Sequence, residues 1–130
     1  MSNLTLEQNG NGFAVATVGN IADFEGKAFV KEILGTTSME VSFGSIAAGE
    51  SSPFFHKHKQ NEELYIVTSG EGKFVLDGKE VNVKSGSVIR VSPSVSRSIT
   101  NTGSVPLVHI CIQAKENSLE GYTMTDGVVL

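Results

Sequence analysis

The sequence is short of the residues that staple, stiffen or strongly charge a chain. It has one cysteine, Cys111, so no disulfide can form within it. A lone cysteine suits a reducing compartment, and the expected location is the cytoplasm. There is no tryptophan, and there are three prolines. Only two arginines occur, Arg90 and Arg97. The formal net charge is −4, without long runs of one sign. That balance favours solubility and argues against general nucleic-acid binding, which draws on clustered positive charge. No apolar run approaches the length that spans a bilayer. Residues 1–8 lack the basic cluster and apolar run of a secretory signal. Neither a nucleic-acid nor a membrane partner is expected.

What the chain does have is glycine, 14 residues of it, set between short apolar runs with a period of two. Met39, Val41 and Phe43 alternate with Glu40, Ser42 and Gly44, as in a half-buried strand. Residues 63–68 form a β-branched and aromatic run ended by Ser69-Gly70. Residues 73–76 and 79–83 flank Asp77-Gly78, a strong hairpin signal because a type I′ turn needs positive φ at both central positions. Further strands are expected over 87–91, 97–101 and 107–113. Residues 22–26 have room for one helical turn, and 28–34 is read as strand. Short strands with frequent turns predict an all-β sandwich or barrel. At 130 residues, one domain is expected over 1–130, large enough to fold without staples. The tail from Lys115 is poor in core residues and is expected to lie over the barrel or on a partner subunit.

The stretch with chemical potential is residues 49–65. In a strand, His56 and His58 would aim two imidazoles the same way, roughly 7 Å apart. The polar residues 59–61 allow a reversal that brings a carboxylate, Glu62 or Glu63, in from the next strand. Two neutral imidazoles and one carboxylate make a facial set that leaves coordination positions open, suited to Fe(II) and related divalent metals, zinc included. The same residues also read as a solvated hairpin tip.

These residues resemble the first motif of the cupin superfamily, G-x5-H-x-H-x3,4-E-x6-G. Gly49, His56, His58, Glu63 and Gly70 match it, with the first gap one residue longer than the pattern. The resemblance covers roughly residues 38–113. It selects Glu63 over Glu62 and implies a double-stranded β-helix, the jelly-roll barrel. The core barrel would span about 28–114, with an N-terminal arm over 1–27 and a C-terminal tail over 115–130. The second cupin motif, G-x5-P-x-G-x2-H-x3-N, keeps Gly86 and Asn101 but has Ser92 for proline and Ser94 for glycine. Arg97 stands where a fourth metal ligand, a histidine, is usual. A guanidinium stays protonated and has no lone pair to give a metal.

The resemblance implies a divalent transition metal (iron, manganese, nickel or zinc) on His56, His58 and Glu63, with no organic cofactor. It places Arg97, Tyr65, His109, Gln60 and Phe54 as ligand-binding or supporting residues. Arg97 could hold an anionic ligand, pair with Glu63 in place of a metal, or end a strand in solvent. His109 shares a face with Leu107, Cys111 and Gln113 and could complete the ligand set or sit hydrogen-bonded in the core. Cys111 reads as a small core side chain. Serines at 92, 94, 96 and 98 offer hydroxyls near Arg97. The family also implies a homodimer. Three functions follow: a metal-dependent dioxygenase or isomerase on a small substrate, a non-catalytic small-ligand module, or a structural barrel with a degenerate site.

Overall fold

The computed structural model describes residues 4–130. In chain order the strands are β1 (Thr5–Asn9), β2 (Ala14–Thr17), β3 (Lys27–Phe29), β4 (Glu40–Ile46), β5 (Asn61–Ser69), β6 (Glu71–Leu76), β7 (Lys79–Lys84), β8 (Val88–Val91), β9 (Arg97–Asn101) and β10 (Leu107–Lys115). Two short helices, α1 (Lys31–Leu34) and α2 (Thr123–Asp126), and a 3₁₀ turn at Ile21–Asp23 complete the described elements. One sheet has the order β3-β4-β10-β5-β8, the other β7-β6-β9, and every pairing is antiparallel. Residues 51–58 run beside β9 through the bridges Ser51↔Thr100 and His56↔Arg97. This is the expected all-β jelly roll.

Turn chemistry sets the register. Asp77 and Gly78 have φ of 48° and 83°, so the β6–β7 hairpin closes on the two-residue turn that matches strand twist. With that register fixed, alternate residues of each strand face the gap between the sheets. Tyr65, Val67, Phe74, Val91, Ile99, Leu107 and Cys111 pack there, with Tyr65 edge-on to Phe74 at 4.9 Å. Full burial of a side chain such as Phe74 contributes about 1.5–3 kcal/mol.

A second cluster lies on the outer face. Phe24, Ala28 and Val108 pack with Val18, Ile21 and Phe43, so the N-terminal arm covers part of the five-stranded sheet. The arm carries a β1–β2 hairpin that its sequence pattern did not signal. On β4 the inward residues are Ser42 and Gly44, whereas Phe43 faces the outer cluster.

Two expectations need correction. The run over 28–34 is not one strand: β3 ends at Phe29 and α1 begins at Lys31. The Lys31 amide donates to Glu40 Oε1 at 2.9 Å, and Gly35 caps the turn at φ 75°. These end contacts override the strand propensity of Val30 and Ile33. The tail does not lie over the barrel, since Leu119, Tyr122, Met124 and residues 128–130 are exposed. The expected helical turn near 22–26 appears as the 3₁₀ turn, begun by Asn20 Oδ1 accepting from the Ala22 amide.

Candidate metal centre

Three segments bring the ligand candidates together. Glu63 lies on β5, on the inward face with Tyr65 and Val67, while Glu62 pairs with Ala114 on the other register set. His56 and His58 do not lie on a regular strand. Their segment is pinned to β9 and the turn before it. The His56 amide donates to Arg97 O at 3.1 Å, the Arg97 amide to His56 O at 3.0 Å, and the His58 amide to Pro93 O at 2.8 Å. The two imidazoles converge nonetheless, with ring centroids 5.2 Å apart and planes nearly perpendicular.

One ligand atom from each of His56, His58 and Glu63 lies within 4.8 Å of the others. His58 Nε2 is 3.1 Å from Glu63 Oε2, and His56 Nε2 is 3.9 Å from Oε1. The donor chemistry suits a divalent ion. Burial pushes the Glu63 carboxyl up, but hydrogen bonds from Tyr65, Arg97 and Cys111 outweigh it and hold the pKa below its usual value. The group is therefore a carboxylate at neutral pH. Burial lowers His56, helped by the charges of Arg97 and Lys27 and opposed by Glu63, so its imidazole is neutral. Both are the protonation states a metal requires. The three donors fit a facial site with open positions.

The fourth corner is a guanidinium. Arg97 is 0% exposed. Its Nη1 donates to Glu63 Oε1 at 2.7 Å, and Tyr65 Oη donates to the same oxygen at 2.6 Å. Its other donors reach the carbonyls of Ser92, Pro93 and Val95. Of the three readings of Arg97, the exposed strand end is excluded, and pairing with Glu63 is what the geometry shows. Backbone carbonyls surround the guanidinium rather than the serine hydroxyls: Ser92 Oγ accepts from Arg90, and Ser98 Oγ pairs with Ser52 Oγ.

Beside the triad opens a cavity of about 450 Å³. His56, Tyr65, Arg97, His109 and Phe54 line it. Phe54 stands at its mouth, 66% exposed and edge-on to His56. Gln60 does not line it: that side chain is exposed, and its backbone carbonyl accepts from the Glu116 amide. His109 is 4% exposed and lies outside the ligand group, its ring 5.9 Å from that of Tyr65.

Sequence reasoning missed two participants. Cys111 is buried as expected, but its thiol donates to Glu63 Oε2 at 3.3 Å, and burial with the nearby carboxylate pushes its pKa up to about 12. It shares the inward face of β10 with His109, which was the available signal. Lys27 lines the cavity from β3, with its ammonium 5.5 Å from the Phe29 ring. Nothing in its neighbourhood in the sequence pointed to it.

Residues 42–113 match a family described as Cupin domain. The chain is 38% identical to a cupin protein of Bacteroides fragilis whose crystal structure superposes with a TM-score of 0.86, covering 92% of this chain and 98% of that one. An oxalate-binding protein of Thermotoga maritima is 39% identical over 62 residues, which are 48% of this chain and 51% of that protein. The chain thus spans about half the length of that curated relative. A crystal structure from Thermotoga maritima, described as a predicted oxalate decarboxylase, has a TM-score of 0.58 at 25% identity, covering 88% of this chain and 95% of that one. The match spans more than half of the chain, and the Bacteroides structure follows nearly all of it: the chain belongs to the cupin family.

Proposed function

We propose that this cupin holds one divalent transition metal on His56, His58 and Glu63 and binds a small organic anion in the adjoining cavity. The observation that carries the reading is the convergence of three donors of metal-binding type within 4.8 Å, one of which, His56, lines that cavity. When bound, such a metal supplies a Lewis acid with open positions for an oxygen ligand. The chain's own residues supply the rest. Arg97 and Tyr65 hold Glu63 ionised and fixed. Lys27 brings a positive charge to the cavity, and Phe54 shields its mouth. The Thermotoga matches, described as an oxalate-binding protein and as a predicted oxalate decarboxylase, support a small carboxylate as ligand. Iron, manganese, nickel and zinc all accept these donors.

A second reading has one observation in its favour. Arg97 already neutralises Glu63, so the site stands as a closed ion pair without a metal, as in a structural or purely ligand-binding barrel. Elemental analysis of purified protein separates the two. The metal reading expects about one transition metal per chain, lost in the His56→Ala/His58→Ala variant. No metal in either protein, even after reconstitution with Fe(II), Mn(II), Ni(II) and Zn(II), leaves the second reading standing.

Our reading also keeps one domain over 1–130, a reducing compartment for Cys111, and a homodimer. Exposed apolar residues such as Val88 on β8 and Met124 in the tail support the dimer. Sedimentation measures it, and a monomer at micromolar concentration overturns it.

A further inference from the structure

The inward face of the five-stranded sheet carries two functional rows. The first contains Glu63, paired with Gln113 on β10 and Val91 on β8. The second lies four residues away along β10, where His109 pairs with Gly44 on β4 and Gly44 pairs with Lys27 on β3. Four residues of strand separate the rows by about 13 Å at the backbone. Tyr65 and Cys111 form the row between them. Lys27, Gly44, His109 and Tyr65 all line the same cavity as His56.

The second row has the features of a recognition wall. His109 is 4% exposed, yet its Nδ1 has no hydrogen-bond partner among the described residues. Buried polar atoms are nearly always paired, and this orphan belongs to a ring that lines the cavity. Gly44 makes the room for the His109 ring itself: a Cβ there would fall 2.7 Å from the His109 Cε1 and 2.8 Å from Nε2. Lys27 adds the only ammonium on the cavity wall. The cavity is also too large for a two-carbon acid. Its volume is about 450 Å³. Ile46, Ile99 and Pro53 add apolar lining to the cavity.

Resting on the metal-and-anion reading above, we propose that the ligand is a two-ended organic acid. One carboxylate sits at the His56, His58 and Glu63 position. An apolar body follows, and a second carboxylate is held by His109 and Lys27. A contact to the ion at one end and a hydrogen bond at the other take up part of that separation, so the ligand corresponds to a straight-chain diacid of about four to six carbons. Oxalate reaches one end only. Glu50 lines the cavity too and acts against the second carboxylate.

The test is calorimetric titration of metal-loaded protein with oxalate, succinate, adipate and the monocarboxylates of matching length. Succinate or adipate should bind about tenfold or more tighter than its monocarboxylate. Lys27→Met and His109→Leu should each erase that difference while metal content stays as in wild type. Glu50→Gln should tighten diacid binding. Lys27 is exposed, so its variant folds even where the His109 variant does not. Equal affinity for diacids and monoacids overturns the proposal, as does a diacid preference unchanged in Lys27→Met. Failure of the underlying reading looks different: neither metal nor any monocarboxylate binds the wild type.

Discussion

Replacing Arg97 with methionine keeps most of the side-chain volume and removes the charge and all the donors. The consequence follows from what Arg97 leaves behind. Glu63 is 3% exposed and would lose its only guanidinium partner. The carbonyls of Ser92, Pro93 and Val95 would lose the donor that draws them together. Removing one partner of a buried ion pair costs about 3–5 kcal/mol, because the other charge stays buried. For a chain of this size, about 4 °C of melting temperature goes with each kcal/mol, so the midpoint should fall by about 15 °C. Arg97→Lys keeps the charge but not the fork that bonds three carbonyls and a carboxylate together, and should lie between wild type and methionine. Glu63→Gln in the Arg97→Met background removes the stranded charge, so the double variant should be more stable than the two single losses summed. The coupling should be about 2 kcal/mol. Urea unfolding at pH 7 with EDTA measures all five proteins: wild type, Arg97→Met, Arg97→Lys, Glu63→Gln and the double variant. Arg97→Met within 1 kcal/mol of wild type, or strict additivity in the cycle, refutes the buried-pair reasoning.

Two further outcomes test other parts of the architecture. Gly70 has φ 84°, and a Cβ there would fall 2.4 Å from the Pro106 carbonyl oxygen. Gly70→Ala should cost about 3 kcal/mol or more, whereas Gly49→Ala, at φ 78° with open space around it, should cost only about 1–2; equal losses by urea unfolding contradict the packing argument. Burial, with help from Lys27, holds the folded pKa of His109 down at about 4, below its ordinary 6.5. The unfolded chain therefore takes up this proton first on acidification. The stabilisation is complete above pH 6.5 and is lost as pH falls towards 4, a change of about 3 kcal/mol. Glu63, whose folded pKa is depressed, adds its own loss only below about 4.5. A His109→Leu variant with the same pH profile between 6.5 and 4.5 would show that His109 is not the group responsible.

The sequence pattern was most informative where local chemistry decides the structure. Asp77-Gly78 announced its hairpin because positive φ at two successive residues has few sequence solutions. The alternation through Glu63, Tyr65 and Val67 correctly put all three on one face, since a strand has no other way to arrange them. His56 and His58 converge as the pattern implied, although by an irregular segment clamped to β9 rather than by strand periodicity. What remained hidden depends on tertiary placement. The split of 28–34 turns on an amide cap from Glu40, nine residues from Lys31. Lys27 reaches the cavity only because β3 pairs at the edge of the sheet beside Gly44. Arg97 was visible as an oddity in the second motif, and its pairing with Glu63 as one reading, but its other partners are backbone carbonyls, which carry no sequence signature. Gln60, adjacent to the ligand segment, illustrates the reverse: proximity in sequence did not bring its side chain to the cavity.

The two oxygens of Glu63 show how a buried arginine and a metal site can share one carboxylate. Oε1 accepts from both Tyr65 and Arg97. Oε2 faces His58 and Cys111. Because the Tyr65 and Arg97 bonds both fall on Oε1, Oε2 would remain, beside the Cys111 thiol, for a cation held by His56, His58 and Glu63. The guanidinium and the ion do compete for the same negative charge. A fixed positive charge a few ångströms away disfavours an incoming divalent ion by several kcal/mol at the effective dielectric of such sites. A neutral histidine in that position would add a donor and impose no such repulsion. What Arg97 supplies instead is order before any ion arrives. Its backbone bridges to His56, its side chain holds Glu63, and it bonds the Pro93 carbonyl that also receives the His58 amide. All three ligand candidates are therefore positioned by one residue, and the conformational cost of assembling the site falls on folding rather than on metal binding.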